Sequence, residues 1–184
     1  MRREGLVIGL VGLLSTAITW QPAWSADRYV LVTGFLSGNI VRFDLSTGAA
    51  EQVIALQPSS GGDTGDRPRG IVVGGDSLIY VALRGGTKNV RRFTWNGAFV
   101  DNFTQSIGVY GPGQIGFSDD GNLIVGGDAS NQSSVFRYDG NTGTLIDTFR
   151  LTGFTNVVGL LVHGSIVYSA AYFSANVARY DLTQ

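Results

Sequence analysis

Past its first 25 residues the chain is a succession of short apolar runs separated by clusters of Gly, Ser, Asn and Asp. Four runs rich in β-branched and aromatic residues are Tyr29–Val32, Leu78–Val81, Leu123–Val125 and Ile166–Tyr168. Each is followed by a loop and then by an arginine-centred segment: Val41-Arg42-Phe43-Asp44, Arg91-Arg92-Phe93-Thr94, Phe136-Arg137-Tyr138-Asp139 and Ala178-Arg179-Tyr180-Asp181. Residues of these types in runs of this length predict strands. The four arginines lie 50, 45 and 42 residues apart, so the pattern is an internal repeat. Turn chemistry follows the arginine segments at Asp44–Gly48, Asn96-Gly97 and Asp139–Gly143. There Asp, Asn and Thr side chains can bind the local backbone while Gly takes a positive dihedral.

Two copies continue in step, Gly97-Ala98-Phe99-Val100-Asp101-Asn102-Phe103 and Gly143-Thr144-Leu145-Ile146-Asp147-Thr148-Phe149, which adds an outermost strand. Upstream lies a fourth apolar piece, in Gly70–Val73, Gln114–Phe117 and Val157–Leu161. One repeat is therefore four antiparallel strands joined by hairpins. A four-stranded meander recurring every 40 to 50 residues is the signature of β-propeller blades. Repetition has a physical cause: one blade leaves two apolar faces exposed, and stacking buries them. The glycine-containing piece is expected innermost, where sheets crowd together.

Arg67-Pro68-Arg69-Gly70-Ile71-Val72-Val73, Leu78-Ile79-Tyr80-Val81, Asn89-Val90-Arg91-Arg92-Phe93 and Gly97-Ala98-Phe99-Val100 resemble an NHL-type repeat, as also found in streptogramin-lyase-like and related six-bladed propellers. The copy from Gly113 to Phe149 resembles it too, and the likeness covers nearly all of residues 28–184. It implies a fold and not a chemistry. The acidic residue that often follows the tyrosine strand in that family is Ala82 in the second copy. Gly74-Gly75 and Gly126-Gly127 are similar to kelch blades, but the kelch Tyr and Trp spacing is missing, and no Gly-His or Trp-Asp pair supports a WD-type propeller.

The expected architecture is all-β, with blades of four antiparallel strands at about 28–56, 69–104, 113–150 and 156–184. The first copy lacks its innermost strand and the last stops before its outermost one. These halves duplicate rather than complement each other, so the expectation is three and a half to four blades of an incomplete or open propeller, favoured over a closed four-bladed ring. An open arc leaves apolar blade faces uncovered and predicts self-association or a partner.

The first residues read as an address. Met1-Arg2-Arg3 is basic, Gly5–Ile18 is apolar but for Ser15 and Thr16, and Thr19–Ala26 is polar with Pro22. This is the layout of a secretory signal peptide over residues 1–25, cleaved after Ser25 or, alternatively, after Ala26. An uncleaved anchor and a twin-arginine signal are the rival readings. The expected location is secreted, periplasmic or extracellular, with no stable membrane span after cleavage.

Removing the leader leaves 11 basic and 13 acidic side chains, a net charge of −2 that attracts no nucleic acid. Absence of cysteine excludes disulfides, thiolate metal sites and Cys nucleophiles, so stability must come from the core and the backbone ladder. Glutamate occurs only at Glu4 and Glu51, and lysine only at Lys88. The one histidine, His163, falls in a hairpin turn, and Asp119-Asp120-Gly121-Asn122 reads as a turn rather than a calcium loop. No catalytic, cofactor or metal residues are assigned. Arg42, Arg137 and Arg179, each near Asp44, Asp139 or Asp181, are read as bridging strands or blades rather than as an anion-binding ring. The loop Gln57–Pro68 reads as an inter-blade connection that could also bind a ligand, with Asp63, Asp66, Arg67, Arg69 and Gln114 as ligand-facing candidates. The function this supports is a secreted non-catalytic module binding protein or carbohydrate. The alternative is a fragment of an exported lactonase- or lyase-like propeller enzyme.

Overall fold

A computed structural model describes residues 28–58, 65–108, 111–129, 132–150, 152, 157–171 and 176–183; residues 1–25, the expected signal peptide, lie outside them. The described residues hold fourteen strands: β1 (Tyr29–Thr33), β2 (Asn39–Asp44), β3 (Ala50–Ala55), β4 (Pro68–Val73), β5 (Ile79–Leu83), β6 (Val90–Phe93), β7 (Phe99–Asn102), β8 (Pro112–Phe117), β9 (Leu123–Ala129), β10 (Gln132–Tyr138), β11 (Leu145–Arg150), β12 (Val157–His163), β13 (Ile166–Ala171) and β14 (Val177–Asp181). They form four antiparallel meanders, β1-β2-β3, β4-β5-β6-β7, β8-β9-β10-β11 and β12-β13-β14. Among the described residues the first sheet has no inner strand and the last no outer one, in line with the strand count.

Alternation along each second strand shows what each sheet packs on. In β5 all five residues are buried. Ile79, Val81 and Leu83 point back to the first sheet, where they meet Ile40 and Ile54. Tyr80 and Ala82 point forward to the third sheet and meet Leu123, Val125, Phe136 and Tyr138. A strand buried on both faces reads as an unbroken apolar run because neither face can be polar. Tyr80 is the centre of this forward layer, with Phe103 and Phe117 edge-on to it at 5.1 Å each. The third junction joins Ile124 and Val135 to Val157, Val167 and Leu182.

Near the axis the sheets meet through β4, β8 and β12, which pack against one another in turn. Glycine is required there by backbone proximity: a Cβ on Gly70 would lie 2.5 Å from the Gly113 carbonyl oxygen and 2.9 Å from the Ile115 nitrogen. A matching bulge early in each inner strand, between Pro68 and Ile71, Pro112 and Ile115, and Val157 and Gly159, sharpens the local twist. Turn glycines obey a different constraint. Gly97 has φ 84°, and a side chain there would also run into the Val53 carbonyl of the preceding sheet.

The four sheets form an open arc. Among the described residues no packing like that of β4 on β8 joins the last sheet to the first. Val30 and Val32 on β1, and Leu161 and Val177 on β12 and β14, are consequently exposed.

Two predictions follow from this packing. Gly70→Ala should destabilise the protein by about 1–3 kcal/mol, because β4 and β8 must move apart, whereas Gly75→Ala, whose added Cβ meets nothing within 4 Å, should stay within about 0.5 kcal/mol of the parent in urea denaturation. The second concerns Tyr138, whose phenol burial pushes up to about 12. Below pH 10 the phenol is neutral in folded and unfolded chains alike. Between 10 and 12 only the unfolded chain ionises, so stability falls as pH rises, by up to about 2.7 kcal/mol at 1.36 kcal/mol per unit. Tyr138→Phe should flatten this part of the alkaline loss when urea midpoints are compared from pH 9 to pH 11.5.

Candidate functional site

The strand directions give the arc two rims. One carries the tight turns and the other the connections between sheets. On the turn rim aspartates are consumed locally: Asp44 Oδ1 accepts from the Ser46 and Thr47 amides at 2.8 and 3.2 Å, and Asp139 Oδ1 from the Asn141 and Thr142 amides at 2.9 and 2.8 Å. Asp181 accepts from the Thr183 amide at 3.1 Å. These bonds hold all three carboxyls below the usual carboxylate range, led by the Ser46 hydroxyl for Asp44, the Thr142 amide for Asp139 and the Thr183 hydroxyl for Asp181.

Arg42 and Arg137 therefore pair elsewhere than with Asp44 and Asp139. Directly opposite each on the outermost strand stands an acid: Arg42 faces Glu51, Arg92 faces Asp101 and Arg137 faces Asp147. The closest contacts are 2.6, 2.6 and 2.5 Å. Arg92 is the most elaborate, with two bonds to Asp101, its Tyr80 hydroxyl contact at 3.5 Å, and its guanidinium 4.6 Å from the Phe103 ring centre. The hydrogen bonds to Asp101 push the Arg92 guanidinium up, and Arg92 in turn holds the Asp101 carboxyl down. Arg42 and Arg137 also cross between sheets, donating to the Trp95 carbonyl at 3.2 Å and the Leu182 carbonyl at 3.0 Å. Bridging of strands and of blades is thus what these arginines do, with acids one strand further out as partners.

The connection rim holds the ligand-facing candidates. Asp63 lies outside the described residues. Asp66 is only 7% exposed, and its carboxylate accepts from the Gln57 amide at 3.1 Å and from Arg91 at 3.3 Å. With its own amide bonded to the Gln57 carbonyl at 3.0 Å, it fastens both ends of the connection together. Arg67 follows at φ 47°, a left-handed position that turns its guanidinium over the Phe35 ring at 5.5 Å. Arg69 lies in β4 and borders a cleft of about 320 Å³ between the first two sheets, with Thr33, Phe35, Pro68 and Arg84 as the other walls. Thr33 closes its base by donating to the Arg69 carbonyl at 3.0 Å. Gln114 is half-buried on β8, beside Gly70, and is not in this wall.

Sequence reasoning missed Thr33, Phe35 and Arg84. The available signal was a phenylalanine in a Gly-Ser loop and an arginine ending a fully apolar strand. His163 ends β12 on the opposite rim. Among the described residues no group of three His, Asp or Glu is placed to hold a metal ion, and no helix is long and apolar enough to cross a membrane.

Four twisted four-stranded or three-stranded meanders packed face to face around an axis define a β-propeller fold. Known structures agree: the chain superposes on the nidogen/laminin complex structure with a TM-score of 0.69 at 16% identity, covering 86% of this chain and 58% of that one. It matches Kuenenia stuttgartiensis hydrazine synthase with a TM-score of 0.62 at 21% identity, over 77% of this chain and 40% of that one. Virginiamycin B lyase from Staphylococcus aureus matches with a TM-score of 0.50 at 18% identity, over 85% and 53%. At these identities the likeness is one of fold, and the chain spans about half the length of the structures it matches. No protein-family model and no curated protein sequence matches it.

The buried and exposed carboxylates should separate by mutation. Asp66→Ala leaves the Gln57 amide and Arg91 without their shared acceptor and should cost about 1–3 kcal/mol. Asp101→Asn, where the carboxylate is 42% exposed, should cost about 1 kcal/mol or less in the same denaturation measurement.

Proposed function

We propose that the protein is an exported, non-catalytic β-propeller that acts as an interaction module, holding a protein or carbohydrate ligand on its connection rim. The observation that carries this reading is the cleft between the first two sheets, lined among the described residues by Thr33, Phe35, Pro68, Arg69 and Arg84, which are two arginines, one phenylalanine and no acidic residue. Planar guanidinium groups suit carboxylates, and an aromatic face suits a sugar ring or an apolar side chain. The favoured ligand class is therefore a carboxylate-bearing one, an acidic polysaccharide or an acidic peptide. Export rests on the leader at residues 1–25.

The test begins with the chain expressed with its leader; the exported product should start at Ala26 by N-terminal sequencing. Calorimetry of that product should then detect polygalacturonate or a poly-glutamate peptide with affinity that falls as salt rises, and Phe35→Ala and Arg69→Gln should each weaken it at least 10-fold. Metal-dependent lactone hydrolysis by the same product would overturn the non-catalytic reading in favour of a lactonase- or lyase-like propeller.

A further inference from the structure

The connection rim holds an arginine in a backbone conformation that its side chain disfavours. Among the described residues three non-glycines have positive φ, and two of them, Arg67 at 47° and Lys88 at 51°, are basic and lie on this rim. The left-handed region is open to glycine and strained for a residue that carries a Cβ. Two positions earlier the same connection uses Gly65, at φ 75°. Glycine at 67 would serve the turn equally well, so the arginine is explained by what its side chain reaches.

The surroundings fix the course of that side chain. The Arg67 carbonyl accepts from the Arg84 amide at 3.0 Å and the Asp66 carbonyl from the Gly85 amide at 3.1 Å, which fastens the strained segment to the end of β5. Gly85 gives the arginine stem its room: a Cβ there would stand 3.3 Å from Arg67 Cγ and Cδ, and 2.3 Å from the Gly65 carbonyl oxygen. The Arg67 guanidinium then reaches the Phe35 ring, 5.5 Å from its centre. Phe35 lines the cleft together with Arg69 and Arg84, whereas Arg67 is not part of that lining. One aromatic ring thus shares its cleft with two arginines and is touched by a third from outside it. Asp66, the acid beside Arg67, is turned inward to Arg91.

We propose that Arg67 is a second anion-binding point at the edge of the cleft, so that the site takes two successive units of an acidic oligosaccharide. One sugar ring lies against Phe35 with its carboxylate on Arg69 and Arg84, and the carboxylate of the neighbouring ring is held by Arg67. This rests on the cleft being the ligand site. An acidic sugar chain is favoured over an acidic peptide because it alternates rings with carboxylates, as the rim sets Phe35 among its arginines; a run of glutamates has no ring to lay on Phe35. With two linked carboxylates the second capture is intramolecular, so an oligomer gains affinity that its monomer lacks.

Calorimetry of the exported product should show trigalacturonate binding about 30-fold or more tighter than galacturonate, where three independent rings alone would give about 3-fold. Arg67→Gly removes the second point and relieves the backbone, so its urea midpoint should equal or exceed the parent's while the trimer's advantage falls to about 3-fold and galacturonate binding is unchanged. Arg67→Asn, which also suits the left-handed region, should behave likewise, and Arg67→Lys should retain part of the advantage. A parent that binds neither sugar overturns the cleft as the ligand site and the second point with it. A parent that binds both sugars equally, an Arg67→Gly chain that keeps the parent's preference, or Gly and Asn variants that lose it only along with a lowered urea midpoint, overturn the second point alone. A triglutamate peptide bound as tightly as trigalacturonate overturns the sugar assignment.

Discussion

A twisted sheet of short antiparallel strands has two apolar faces, and in this chain neither can be satisfied within its own sheet. Tyr80 and Ala82 need the third sheet as much as Ile79, Val81 and Leu83 need the first. Face-to-face burial is therefore the constraint from which the rest follows. It requires the innermost strands to stand close enough that Gly70 meets the backbone of the next sheet. Among the described residues Val30 and Val32 on β1, and Leu161 and Val177 on β12 and β14, are exposed where the matching positions of interior sheets are buried. With no disulfide in the chain, the area hidden at these junctions is the main stabilising contribution.

Polar groups serve the same packing. An arginine on the forward face would be costly to desolvate if it had nothing to bind. Here the guanidinium spans three partners at once: an acid on the outermost strand, an aromatic ring and, for Arg42 and Arg137, a carbonyl of the following sheet. A planar fork with five donors can divide itself in this way, and a lysine could not. Pairs open to water contribute little energy each. Their effect is to fix the angle and register at which one sheet meets the next.

Much of the fold was legible along the chain, because hairpin order and strand register depend on neighbouring residues. The arginine segments, the turns from Asp44 to Gly48 and from Asp139 to Gly143, and the strands beginning at Phe99 and Leu145 could all be placed from local pattern. The cleft was less legible. Thr33, Phe35, Arg69 and Arg84 come from three separate strand ends and a loop, and meet only where two sheets converge. Asp66 looked like a ligand-facing acid in a polar loop; its carboxylate is instead turned inward to Gln57 and Arg91. Sequence distance alone does not give the partner of Arg42 for a similar reason. Asp44 is two residues from Arg42 but is captured by its own turn, while Glu51 is nine away and lies directly across the ladder.

Local periodicity was thus enough to specify four repeated meanders, their turns and the strands absent from the first and last of them, since hairpins form between adjacent segments and side chains alternate with period two. Which face of each meander looks forward and which looks back, and which loop residues share a cleft, were settled by sheet-on-sheet packing. That packing joins residues tens of positions apart through shape and burial, and no spacing along the chain encodes it.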